Sequence, residues 1–143
     1  MTVAKLLNRK GADVITIQPS MPLGEVIELL EKHGIGAVVA VDGGHRIAGI
    51  LSERDIVRGL SRYGPDVLSK PASAIMTKKV VTCSPKDRVI AVMEQMTNGK
   101  FRHVPVEEDG KLAGIISIGD VVKQRIAEIQ LEKDALQDYI MAS

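Results

Sequence analysis

The chain has 143 residues, 45% of them hydrophobic, enough for one respectable core or two small halves sharing an interface, but not for separate large domains. Nineteen basic residues against eighteen acidic leave a net charge of +1, and only three residues are aromatic; this excludes both the broad field that draws nucleic acid or an anionic membrane and a stacking platform for single strands. One cysteine, Cys83, cannot close an internal disulfide, and no targeting segment or run of the ~20 apolar residues a membrane span needs is visible, so a cytoplasmic protein without membrane contact is expected.

Taken in order, residues 2 to 10 predict a short amphipathic helix with Val3, Leu6 and Leu7 on one side, ended by Gly11. Val14 to Ile17 is a β-branched strand closed by Gln18-Pro19. Pro22-Leu23 then opens a helix in which Leu23, Val26, Ile27 and Leu30 share a face, and Gly34 stops it. Ala37 to Val41 is apolar throughout and reads as a strand covered on both faces. Asp42-Gly43-Gly44 turns it into a strand from Arg46 to Leu51, and a helix follows from about Glu53 to Arg62. Tyr63 to Ala74, with Gly64, Pro65 and Pro71, reads as a linker.

The same order then recurs. Val80 to Cys83 predicts a strand. Pro85 precedes a helix with Val89, Val92, Met93 and Met96 on one face, and Val104 to Val106 with Leu112 to Ile116 form the next hairpin. From Ala48 to Val57, six of ten positions match those 65 further on: Ala48, Gly49, Ile50, Ser52, Asp55 and Val57. Each copy is β-α-β-β-α, too small to cover its own sheet, so the two are expected to pack face to face with pseudo-twofold symmetry. The expected division is 1–63 for the N-terminal segment and first repeat, 64–74 for the linker, 75–124 for the second repeat and 125–143 for an extension of the last helix. That helix carries Val122, Ile126, Ile129, Lys133, Leu136 and Ile140 spaced alternately four and three apart, a seam that predicts a homodimer; packing of this face against the chain's own first helix is the alternative.

The paired Gly-hydrophobic-hydrophobic-Ser-x-x-Asp junctions and Arg102-His103-Val104-Pro105-Val106 resemble tandem cystathionine-β-synthase (CBS) domains, a Bateman module, over nearly the whole chain. The resemblance implies an α+β sandwich of two CBS repeats plus the long C-terminal helix, with clefts that bind adenosine nucleotides such as AMP, ATP or NAD(H). The junction Asp would accept the ribose hydroxyls, the junction Ser and nearby cations would meet phosphate, and adenine would lie beside the first strand of the neighbouring copy. Carried over by position, one cleft uses Ser117 and Asp120 with Lys10, Ile15, Gly36 and Arg102; the other uses Ser52, Arg54 and Asp55 with Val81 and Phe101. Gly119 and Arg102 suit the first to a mononucleotide such as AMP. Arg54 offers a fork to a pyrophosphate, while Glu53 would repel a triphosphate, which turns the second towards a dinucleotide such as NAD(H).

Each residue also has a plainer reading. Ser-x-x-Asp at a helix start is equally a cap. Arg102 can be an ordinary surface cation, Phe101 can fill the core, and strand alternation can turn His103 inward or outward. The histidines and Cys83 show no metal-ligand spacing, so no metal is expected. No nucleophile has a visible base and no catalytic residues can be named. A nucleotide-binding regulatory module acting on an unidentified target protein is therefore expected, with a structural adaptor whose clefts are vestigial as the alternative.

Overall fold

The computed structural model describes residues 1–142. In chain order the elements are α1 (Val3–Lys10), β1 (Thr16–Ile17), α2 (Leu23–His33), β2 (Ala37–Val41), β3 (Ile47–Ser52), α3 (Glu53–Tyr63), α4 (Val89–Gly99), β4 (His103–Glu108), β5 (Lys111–Ser117) and α5 (Ile118–Ala142). This is the expected α+β arrangement of two repeats followed by a long helix. Local chemistry explains the boundaries. Thr2 caps α1 through the Lys5 N–H, and α2 ends where Gly34 takes the left-handed conformation at φ 60°. All five residues of β2 are buried, as an unbroken apolar run requires.

In the first repeat β1 pairs parallel with β2, and β2 pairs antiparallel with β3. In the second, β4 and β5 form the antiparallel pair. The strand expected at 80–83 is reduced to a single parallel bridge, Cys83 with Val106, at the place matching Ile17 with Ala40 in the first repeat. Cys83 donates its N–H to the Pro105 carbonyl (3.0 Å) and accepts from the Glu107 N–H (2.8 Å). Pro105 is the counterpart of Val39 and has no N–H to extend the ladder upstream, so pairing stops there. Val81 is left exposed.

The core lies in two main clusters that cross the sequential division. α1 packs on the second repeat, where Val3, Leu6 and Leu7 join Val89, Val92, Met96, Val104 and Ile116. Backbone bonds from Val3 to Asp87 (2.8 Å) and from Val89 to Met1 (3.0 Å) fasten it there. The segment read as a linker is folded: it forms 3₁₀ turns at Pro65–Ser69 and Ala72–Ala74, and it buries Val67 and Ala72 against Leu23, Val26 and Leu51 of the first repeat. The junction glycines mark these crossings. A Cβ on Gly114 would stand 2.8 Å from Leu7 Cδ2, and one on Gly49 would stand 2.7 Å from Met76 Sδ and 3.0 Å from the Thr77 carbonyl oxygen. A third cluster, Val39, Val41 and Leu112 with Val14, Ile47 and Ile115, joins the repeats, and the Leu112 N–H donates to the His45 carbonyl across the same boundary (3.0 Å).

α5 leaves the body of the molecule. After Gln124, which is buried and bonded to Arg9 and Glu128, most side chains are exposed. Val122, Ile126, Ile129 and Leu136 are each between 47% and 62% exposed, so the seam does not pack on α1, whose apolar face is spent on the second repeat.

Candidate functional site: two helix-start junctions and one open cavity

Each hairpin runs straight into a helix, and both junctions close in the same way. At the start of α3 the Ser52 N–H donates to Asp55 Oδ2 (3.0 Å) while the Asp55 N–H donates to Ser52 Oγ (3.3 Å). At the start of α5 the equivalent bonds join Ser117 and Asp120 at 2.9 and 3.2 Å. The first N–H of each helix is also matched: Glu53 donates to the Gly36 carbonyl (3.0 Å) and Ile118 to the Arg102 carbonyl (2.8 Å). The capping role of Ser-x-x-Asp is thus fulfilled in both copies, and it consumes one carboxylate oxygen of each Asp.

What remains for a ligand differs between the copies. Asp120 Oδ2 also accepts from the Lys10 ammonium at 2.6 Å, and that ammonium donates to the Ile115 carbonyl at 2.7 Å. Burial alone would raise the Asp120 pKa, but hydrogen bonds from Lys10 and Ser117, with the Lys10 charge, outweigh it and hold the carboxyl below its ordinary value. Asp55 has no cationic partner within ion-pair distance among the described residues. Its Oδ1 receives only a long bond from the Thr77 hydroxyl, 3.4 Å, leaving acceptor capacity for a diol.

Beside Asp55 lies a cavity of about 460 Å³ between the repeats, within the range of small-molecule sites. Ser52, Arg54 and Asp55 form one wall, with Val81 and Phe101 among the residues of the other, so the five residues assigned by position to this cleft lie together. Gly36 and Arg102, expected with Asp120, line this cavity instead. Ser117, Asp120, Lys10 and Ile15 do not line it: Ile15 packs against the first repeat's core, and the other three are joined through Asp120. The Phe101 ring rests over Gly99, where a Cβ would come within 2.1 Å of it. Glycine is therefore required for the ring to lie in this wall.

His103 stands between the two junctions. It lines the cavity, and its ring lies 3.4 Å from where a Cβ on Gly36 would be. Burial lowers its pKa, Glu53 and Asp120 pull it upward, and Lys10 and Arg102 push it down, with a net lowering that favours the neutral ring. Sequence reasoning missed Arg58, Thr77, Lys79 and Lys100, which also line the cavity. Arg58 was within reach, being one helical turn beyond Arg54; Thr77 and Lys79 lie in an irregular segment whose placement no periodicity gives away. Arg54 is fixed across the cavity by a bond from Nη1 to the Lys100 carbonyl (3.1 Å), and Lys100 caps α4 in the left-handed region at φ 58°.

The CBS domain family profile matches residues 3–62 and 72–126. The chain is 35% identical over 120 residues to the CBS domain-containing protein CBSX3, mitochondrial, of Arabidopsis thaliana, an alignment covering 81% of this chain and 58% of that protein. It spans 41% to 66% of the length of this and two other curated relatives. Among solved structures, the CBS-domain containing protein ATU1752 from Agrobacterium tumefaciens is 50% identical with a TM-score of 0.84, covering 87% of this chain and 99% of that one. The CBS domain pair of protein MJ0100, solved in complex with 5-methylthioadenosine and S-adenosyl-L-methionine, is 25% identical with a TM-score of 0.80, covering 90% and 98%.

Proposed function

Because the chain belongs to the CBS domain family, as two such domains in tandem, we propose that it is a regulatory module binding an adenosine-containing ligand in the cavity at Asp55. One observation carries this reading: a cavity of about 460 Å³ beside a helix start whose Asp retains a carboxylate oxygen without a cationic partner. In the proposed pose the ribose hydroxyls donate to Asp55 Oδ1, the base lies against Phe101 and Val81, and the phosphate end turns towards Arg54 and Arg102. The adenosine-based ligands of the MJ0100 pair support the ligand class. The Asp120 junction is read as a second site of lower affinity, since a ligand there must displace Lys10.

Binding without turnover is proposed, with the effect passed to a target protein in the cytoplasm. A second reading, a dimeric adaptor, is favoured by the exposed seam of α5. The two are separated by titration calorimetry of the full chain with AMP, ATP, NADH and 5-methylthioadenosine. The regulatory reading predicts saturable binding that Asp55→Asn weakens by ~1.5–3 kcal/mol, the scale of hydrogen bonds to a charged group. Absence of heat with every ligand, or undiminished binding by the Asn variant, would leave the adaptor.

A further inference from the structure

The walls of the Asp55 cavity carry more positive charge than a mononucleotide uses. Arg54 and Arg58 stand four residues apart on α3, hence on one helical face and about 6 Å apart along its axis. Lys79 approaches from the segment before the second repeat, and Lys100 and Arg102 flank Phe101. Against these five cations the same walls hold two carboxylates, Glu53 and Asp55, giving +3 where the whole chain carries +1.

None of the five belongs to an ion pair among the described residues; the two pairs found are Lys10–Asp120 and Arg125–Glu128. Glu53 sits by Gly36, its Cδ 3.7 Å from where a Cβ there would be, while Arg58 lies one turn further along α3. Like charges converging on a concavity repel one another and focus a positive potential within it. The Arg54 fork, now bonded to the neutral Lys100 carbonyl, would gain a stronger, charge-assisted acceptor in a phosphate oxygen.

We propose that Arg54, Arg58, Lys79, Lys100 and Arg102 form a polyphosphate subsite, so that the Asp55 cavity takes an adenosine di- or triphosphate in preference to a monophosphate, a thioether or a sulfonium. This rests on the reading of the cavity as an adenosine site. A sulfonium brings a positive charge to a positive wall, and a thioether brings none to answer it; only a chain of phosphates spans from Arg54 to Arg58.

The test is titration of the full chain with adenosine, AMP, ADP, ATP, S-adenosylmethionine and inorganic tripolyphosphate, using the parent, Arg58→Gln and Lys79→Gln. Affinity is expected to rise from AMP through ADP to ATP, by about tenfold or more overall, and the gain should shrink as salt is raised. Each variant should lower ATP affinity about fivefold and leave adenosine unchanged, and tripolyphosphate should compete with ATP. Equal affinities for AMP and ATP, or parental ATP affinity in both variants, would overturn the subsite while adenosine binding still upheld the cavity. If no adenosine compound binds, the adenosine reading falls; tripolyphosphate binding weakened by Arg58→Gln would then sustain the anion subsite, and its absence would overturn that too.

Discussion

Replacing Lys10 by Met removes the ammonium from Asp120 and from the Ile115 carbonyl while keeping most of the side chain's apolar stem. The Lys10–Asp120 contact is 2.6 Å, with the two side chains 27% and 25% exposed. A hydrogen bond between charged groups contributes ~1.5–3 kcal/mol, and partial solvent screening reduces this to about 1–2 kcal/mol here. For a chain near this length that is a melting temperature lower by roughly 2–8 °C. The pH dependence has a definite sign. Asp120 has a folded pKa below its ordinary 3.8, so its contribution is fully present above that value and is lost as pH falls through the folded one. The parent should therefore exceed Lys10→Met in stability at pH 5 to 7, and the gap should narrow below about pH 4. Calorimetric melts of both proteins at pH 7 and pH 3 measure it. An equal gap at both pH values, or none at pH 7, would refute the claim that this ion pair holds the Asp120 junction. Ligand titration of the same variant separates two roles for Lys10: a residue occupying the junction predicts unchanged or stronger nucleotide binding, and a phosphate contact predicts weaker binding.

Gly99→Ala puts a methyl within 2.1 Å of the Phe101 ring and must drive the ring out of the cavity wall. Stability should fall by ~1–3 kcal/mol with ligand affinity reduced alongside, and parental affinity would remove Phe101 from the site. Cys83 is 4% exposed and its thiol is pushed up to about 12 from 9.0, by burial first and then by Asp87. It should resist a disulfide reagent at pH 8 in the folded protein and react once the chain is unfolded; fast labelling of the native state would contradict this burial. Ile129→Asp with Leu136→Asp, at positions 54% and 60% exposed, should abolish self-association in light scattering without changing the melt of the repeats. A dimer that survives both changes is held elsewhere.

Much of the fold was legible because its signals are local. Gly34, the buried run of β2 and the Ser-Asp pairs each declare an element boundary within a few residues, and the recurrence of the second junction fixed the two repeats. What escaped depends on contacts distant in sequence. Nothing near Lys10 indicates that it reaches Asp120, 110 residues away, or that α1 belongs to the second repeat's core. The strand at 80–83 had suitable residues, and the missing N–H of Pro105 in a partner strand prevents it. Gly64, Pro65 and Pro71 correctly marked irregular backbone between the repeats, but Val67 and Ala72 in that segment are buried. At the site, the Ser52, Arg54 and Asp55 group was readable from one turn of helix. Gly36 and Arg102 went to the other cleft because position in a repeat does not reveal which face of a shared boundary opens into a cavity.

The most direct test of the central claim is a crystal structure of the full chain grown with ATP. The account predicts difference density in the Asp55 cavity, with ribose hydroxyls on Asp55 Oδ1, the base beside Phe101 and the phosphates along Arg54 and Arg58. An empty Asp55 cavity at saturating ATP, or density confined to a displaced Lys10 and Asp120, would contradict it.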